Sequence, residues 1–261
     1  GVIYPLYHKK GALMSPLDMI TNPFALIEVI HRHRYESVCL NNFLLEHLAN
    51  RGIKNGVDPA QYDLSCWKVM HCGGDYVYPK SVLKFQNFFK ASKLPLHRLS
   101  SSWGMAEATC GVAGTSARWN LHPAPVLRLC KKSLREGKYK VIEKVDYEPG
   151  NMEHLKEGEG ELMLISAGYP VYLTDIAIVN PETMERCEPG FQGEIWVRSP
   201  GVARGYFGHP EKSRETFMAQ IRRGDGLESE KPWLRSGDMG FIHEGLLYMT
   251  SRIKDILIIQ G

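Results

Sequence analysis

A repeated alternation of strand and helix patterns in the first part of the chain constrains its fold more than any other feature. Asn22 or Thr21 can cap a helix with Pro23 at its first position, and Phe24, Ile27 and Ile30 mark its apolar face. Arg32 and Arg34 close that helix, and Tyr35–Leu40 has a strand pattern. Leu44, Leu45 and Leu48 predict a second helix that stops near Gly52. Trp67–Cys72 predicts a strand running into Gly73-Gly74, Pro79–Ala91 a helix, and His97–Ser101 a strand that ends in SSWG. Strands that alternate with helices build a mostly parallel sheet covered by helices. Ligands of such sheets bind at the carboxyl ends of the strands, where both Gly73-Gly74 and Trp103-Gly104 fall.

The pattern then changes. Glycine and proline become frequent, and Glu161–Ser166, Asp175–Asn180, Glu194–Arg198 and Leu246–Thr250 predict short strands. Glu244-Gly245 is a hairpin turn pair. The fold class expected is α/β: a mostly parallel, helix-covered sheet followed by a small β-barrel subdomain. The divisions expected are 1–115 for the sheet, 116–250 for the barrel with an inserted segment at about 126–160, and 251–261 as a connecting hinge. The charged stretch Lys131–Gly160 reads as an insertion or long loop.

Composition removes several function classes. A net charge of +3, with Lys and Arg dispersed, argues against nucleic acid and suits a small anionic ligand. No apolar run reaches the ~18–20 residues needed to span a bilayer, and the start has no secretory pattern. The six cysteines form no C-x-x-C pair and read as reduced, buried thiols of a cytoplasmic protein. His31 and His33 stand at i, i+2 and do not share a helix face. Neither a G-x-S-x-G elbow nor a Walker glycine loop is present. The chain starts without Met and ends inside an apolar strand pattern, DILIIQG, so it reads as an internal piece.

Four short stretches carry residue types suited to a nucleotide. In HCGGD, Gly73 and Gly74 allow backbone to approach a planar ligand, with Asp75 beside them. In SSWGMAEAT, Trp103 offers a flat face and Gly104 a close approach. Glu107 is a hard oxygen donor of the kind that holds Mg²⁺ near phosphates, and Ser101, Ser102 and Thr109 can donate to phosphate oxygens. Asp238 in WLRSGDMG can accept from both hydroxyls of a ribose. Arg252 in SRIKD can fork onto a ribose or phosphate oxygen. Taken singly, each stretch is equally the pattern of an ordinary turn, a capped helix, a core Trp or a solvated strand edge.

Their order is more specific. HCGGD, SSWGMAEAT, GEIWVRSPGVARGYF, WLRSGDMG and SRIKD, in that sequence, resemble the adenylate-forming superfamily of acyl-CoA synthetases, luciferases and adenylation domains. The likeness is greatest to fatty acyl-AMP ligases, whose pattern reads YGLAEAT, W-x-R-T-G-D-L-G and GRIKDLII. The opening PLYHKKGALMSPLDMITNP and the segment VLRLCKKSLREGKYKVIE also resemble that subgroup, the latter its characteristic insertion. The resemblance covers nearly the whole chain.

It implies that Gly73, Gly74 and Asp75 line the adenine, that Trp103 stacks on it within the segment Ser102, Gly104, Met105, Ala106 and Thr109, and that Glu107 binds Mg²⁺. It further implies that Asp238 and Arg252 hold the ribose and that Lys254 lies at the hinge. The expected reaction joins a fatty acid to AMP at the expense of ATP, for transfer to an acyl carrier protein. A fatty acyl-CoA synthetase and a catalytically degenerate acyl-adenylate-binding domain are the alternatives. The family's phosphate loop and its C-terminal lobe with the adenylation Lys are not in these 261 residues, so the piece alone is expected not to complete the reaction. Trp103 stands where the family has Tyr, Asp75 where it has Glu, and Ser251 where it has Gly.

Overall fold

The computed structural model describes residues 11, 13–74, 76–95, 99–115, 124–145, 157–229 and 231–253. Asp75 and Lys254, both expected at the site, lie outside them.

Ser15 caps a short helix α1 (Pro16–Thr21) by accepting from Leu17 N at 3.2 Å. This helix buries no residue, which is why apolar periodicity gave no sign of it. Helix α2 (Phe24–His33) buries Leu26, Ile27 and Ile30, and ends where Arg34 turns left-handed at φ 56°. Asn41 caps α3 (Asn42–Lys54) through a 2.9 Å bond from Leu44 N. Gly52 does not stop this helix but lies within it. A Cβ there would fall 2.2 Å from the Phe88 ring, so the glycine serves close contact with α4 (Pro79–Phe88). The expected end of that helix at Ala91 is instead a 3₁₀ turn, Phe89–Ser92.

Strands β1 (Ser37–Leu40), β2 (Val69–Cys72) and β3 (Leu99–Trp103) are parallel, with Leu40 opposite Cys72 and Cys72 opposite Ser101. β4 (Ala113–Gly114) then runs antiparallel to β3, and β8 (Tyr169–Pro170) antiparallel to β4, giving the order β1-β2-β3-β4-β8. The reversal has a simple cause: the link from β3 to β4 is too short for the dozen or more residues of a parallel crossover. The result is a mixed α/β fold with a parallel-containing sheet.

The later part is antiparallel. β5 (Val126–Cys130) lies between β6 (Val141–Val145) and β7 (Glu161–Ile165). β9 (Asp175–Val179), β10 (Gly193–Arg198), β13 (Leu234–His243) and β14 (Leu246–Arg252) form a four-stranded sheet. A two-stranded ribbon of β11 (Arg222–Arg223) and β12 (Gly226–Leu227) follows α6 (Pro210–Phe217). Glu244 and Gly245 both have positive φ, 51° and 78°, as the tight β13–β14 hairpin requires. The stretch Lys131–Gly160 is not loop throughout: it begins with α5 (Lys131–Arg135) and contains β6. Tyr139, between them, stacks on Phe241 of β13 at 4.0 Å and 14°, and Phe241 stacks on Tyr248 at 5.3 Å and 9°.

Two apolar cores matter for the site. One packs Ile27, Leu45, Leu48, Trp67, Phe85 and Phe89 against Val126, Met163 and Ile165. A fully buried ring such as Phe85 stabilises by roughly 1.5–3 kcal/mol. The other joins Trp103, Ala108 and Val112 to Ile195, Val197, Leu234 and Leu247, and so draws the end of β3 onto the four-stranded sheet. All six cysteines are free thiols, and only Cys72 is fully buried. Among the described residues, no helix is long and apolar enough to cross a membrane.

Candidate functional site

At the end of β2, Gly73 N donates to Leu40 O at 3.2 Å. A Cβ on Gly73 would fall 2.6 Å from Ser102 Oγ and 2.7 Å from Ser102 O, so only glycine lets the ends of β2 and β3 meet this closely. Gly74 follows in the left-handed region at φ 81°. The strand ends predicted from sequence are therefore adjacent.

Trp103 closes β3 and is almost enclosed, with 4% of its surface exposed. Its indole Nε1 donates to Asp238 Oδ2 at 3.1 Å. Asp238 is itself buried, and its Oδ1 lies 3.2 Å from Arg252 Nε. Asp238 and Arg252 face each other across the β13–β14 ladder, so pairing register alone brings the cation to the carboxylate. Trp103, Asp238 and Arg252 thus form one group whose members come from both parts of the chain. The indole uses its edge on the acid, an arrangement that spacing did not predict.

Asp238 sits on a distorted strand. The β10–β13 register shifts between Glu194 and Trp196, and Gly237 adopts φ 74°. Glu194, only 1% exposed, holds this bulge. It accepts from Arg235 Nε at 3.0 Å and Nη2 at 2.8 Å, and from Gly237 N at 3.0 Å. Asp238 N donates to Ser236 Oγ at 3.0 Å. Sequence reasoning missed Glu194. Its signal is a lone acid inside the otherwise apolar strand GEIWV.

Beyond Trp103 the chain makes a compact turn. A Cβ on Gly104 would fall 1.4 Å from Cys110 O, so no side chain fits there. Met105 O accepts from Ala108 N and Cys110 N, and Thr109 and Cys110 have φ of 55° and 80°. Exposed Ala106 opens the 3₁₀ turn that carries Glu107. Two bonds tie this turn to residues 201–203: Ala203 N to Glu107 O at 2.8 Å, and Thr109 Oγ1 to Gly201 O at 2.5 Å. The Thr109 hydroxyl proton is thereby committed to the backbone, and Ser101 is buried. Of the three hydroxyls, half-buried Ser102 faces Gly73.

The half-buried Glu107 carboxylate accepts from Tyr206 Oη at 2.7 Å. Burial, reinforced by the bond to Glu107, pushes the Tyr206 phenol up to about 12. Among the described residues no group of three or more His, Cys, Asp or Glu side chains gathers to hold a metal ion. A single carboxylate suits Mg²⁺, which keeps water ligands and shares phosphate oxygens rather than filling a protein cage.

Comparison with known proteins places the chain in a family. The family described as AMP-binding enzyme matches residues 2–207. A medium-chain-fatty-acid–[acyl-carrier-protein] ligase, JamA, of Moorena producens is 32% identical over 262 residues, covering 100% of this chain and 41% of that protein. A 4-hydroxyphenylalkanoate adenylyltransferase of Mycobacterium tuberculosis is 30% identical over 262 residues, covering 100% of this chain and 39% of that protein. The crystal structure of a fatty acyl-adenylate ligase from L. pneumophila, in complex with acyl adenylate and pyrophosphate, superposes with a TM-score of 0.80 at 28% identity. It covers 100% of this chain and 42% of that one. The chain thus spans about two fifths of the length of the relatives it matches. With residues 2–207 of its 261 matching the family, the chain belongs to the AMP-binding enzyme family.

Proposed function

We propose that the protein carrying this chain is a fatty acyl-AMP ligase. A fatty carboxylate oxygen attacks the α-phosphorus of ATP, the bond to the β-phosphate oxygen breaks, and pyrophosphate leaves with that electron pair. The observation that carries the reading is the Trp103–Asp238–Arg252 group set one turn from Glu107. Gly73, Gly74 and Asp75 would border the adenine, with Ser102, Gly104, Met105, Ala106 and Thr109 shaping the loop beside it. Asp238 would accept from the ribose hydroxyls while Arg252 balances its charge, and Lys254 would lie at the hinge that follows. In this reading residues 1–115 supply the base and metal side, 116–250 supply Asp238, and 251–261 supply Arg252 and the hinge.

Glu107 would hold Mg²⁺, which when bound with ATP would neutralise charge growing on the phosphate oxygens. The chain's own groups bind and orient. Buried Asp238 would fix the sugar, and the tight Gly104–Cys110 turn would set the height of Glu107. The acyl group would then pass to the phosphopantetheine thiol of an acyl carrier protein. That JamA is a medium-chain-fatty-acid–[acyl-carrier-protein] ligase supports that acceptor over coenzyme A. The test is fatty-acid-dependent ATP–pyrophosphate exchange by the product of the complete reading frame, with Asp238→Ala alongside. Acyl transfer is then compared between a carrier protein and free coenzyme A. Exchange that needs fatty acid and is lost in Asp238→Ala is expected. AMP binding without such exchange would refute the ligase reading.

A further inference from the structure

Glu107 sits on a three-residue 3₁₀ turn, half-buried, at the end of a long, rotatable side chain. Such a side chain loses rotamer entropy when it is fixed in one position. A carboxylate that must meet a cation and a nucleotide together therefore gains from being fixed beforehand. The group that fixes it here is Tyr206, at 2.7 Å from Oε1.

Tyr206 is itself held on every side. Its backbone N donates to Ser213 Oγ at 2.8 Å. Its ring meets Phe217 edge-on, at 5.1 Å and 73°, and the Lys212 ammonium lies 4.8 Å above its face. The phenol's proton goes to Glu107 Oε1, and the Thr216 side chain beside the phenol partly offsets the upward push on its pKa. Gly205, at φ 149°, makes the approach possible: a Cβ there would fall 2.8 Å from Ser213 Cβ. The bonds from Ala203 N to Glu107 O and from Thr109 Oγ1 to Gly201 O clamp the backbones of the two segments together. The phenol thus reaches the carboxylate from α6 and the loop before it, a rigid platform separate from the turn that carries Glu107.

We propose that Tyr206 is a positioning residue for Glu107, holding one carboxylate oxygen so that the remaining lone pairs are aimed at a divalent cation shared with nucleotide phosphates. The inference rests on the reading of Glu107 given above. A phenol that donates to an ionised carboxylate makes a strong hydrogen bond and leaves the anion intact for a metal. Hydrogen bonds of this outer kind change metal affinity by about 10–100-fold when removed.

The test uses Tyr206→Phe in the product of the complete reading frame, with Glu107→Gln as reference. Calorimetry gives ATP affinity with Mg²⁺ and with chelator, and pyrophosphate exchange gives the Mg²⁺ concentration for half-activation. Tyr206→Phe is expected to leave metal-free ATP binding unchanged and to raise the half-activating Mg²⁺ about tenfold. It should also cut the gain in ATP affinity that Mg²⁺ provides. If Tyr206→Phe keeps the wild-type Mg²⁺ gain while Glu107→Gln loses it, the positioning role is wrong. If Glu107→Gln keeps the gain, the metal reading of Glu107 fails first. Should Tyr206→Phe not fold, Thr216→Val withdraws the phenol's other partner. It must then give a smaller rise in half-activating Mg²⁺, and no rise would overturn the proposal.

Discussion

Glu194→Gln removes one charge from the centre of the four-stranded sheet and little else. In the wild type the carboxylate is 1% exposed and accepts from Arg235 Nε and Nη2 and from Gly237 N. Glutamine keeps the volume and one acceptor oxygen, but turns an amide N–H₂ or a neutral oxygen toward the guanidinium. Breaking a buried ion pair by removing one partner costs about 3–5 kcal/mol when both groups are dry. The Arg235 side chain is 27% exposed, so water recovers part of its charge, and about 2–3 kcal/mol is the expected loss. For a chain of this size that lowers Tm by about 4–12 °C. Guanidinium unfolding should show a lower midpoint at unchanged slope, and AMP binding should weaken with it, because Gly237 adjoins Asp238. Glu194→Leu with Arg235→Met replaces the pair by apolar packing and should regain stability. It leaves Gly237 N without its acceptor, so AMP affinity should stay low. A Glu194→Gln protein within about 0.5 kcal/mol of wild type would refute the view that this ion pair shapes the bulge.

Trp103→Phe keeps a ring in place and deletes the indole donor to Asp238. A lost bond to a buried charge is worth about 1.5–3 kcal/mol, so calorimetry should find AMP bound at least about tenfold more weakly; unchanged affinity would contradict the edge role of the indole. Asp63 offers a pH test away from the site. Hydrogen bonds from Ser65, aided by Arg34, hold its carboxyl at about 2. Its contribution to stability is full above about pH 4, the unfolded value, and is lost as pH falls toward about 2. The stability difference between wild type and Asp63→Asn should therefore shrink over that interval in acid titrations of unfolding, and a constant difference would refute it.

What was legible in the sequence was local. Strand β3 running into SSWG, the glycines after β2 and the Glu244-Gly245 hairpin all follow from period and turn chemistry within a few residues. Gly52 was misjudged because its reason is Phe88, on another helix. In β13, Gly237 and Gly240 interrupt the strand period; one occupies the bulge, and the other makes room for Tyr248 O, which a Cβ would meet at 2.4 Å. The bond from Trp103 to Asp238 spans 135 residues and the bond from Tyr206 to Glu107 spans 99. No periodicity carries such information. Tyr206 stood inside a recognised motif, GEIWVRSPGVARGYF, yet only the packing of Ser213 and Phe217 turns its hydroxyl toward Glu107.

Those long separations also order events in time. α2, α3 and α4 meet over short stretches of chain, whereas the Trp103–Asp238 contact must wait for the closure of a very long loop. Contacts that form after the folding barrier slow unfolding without hastening folding. A nucleotide whose ribose is held by Asp238 would then act as a brake on escape from the native state, lengthening the protein's lifetime while leaving its rate of assembly almost untouched.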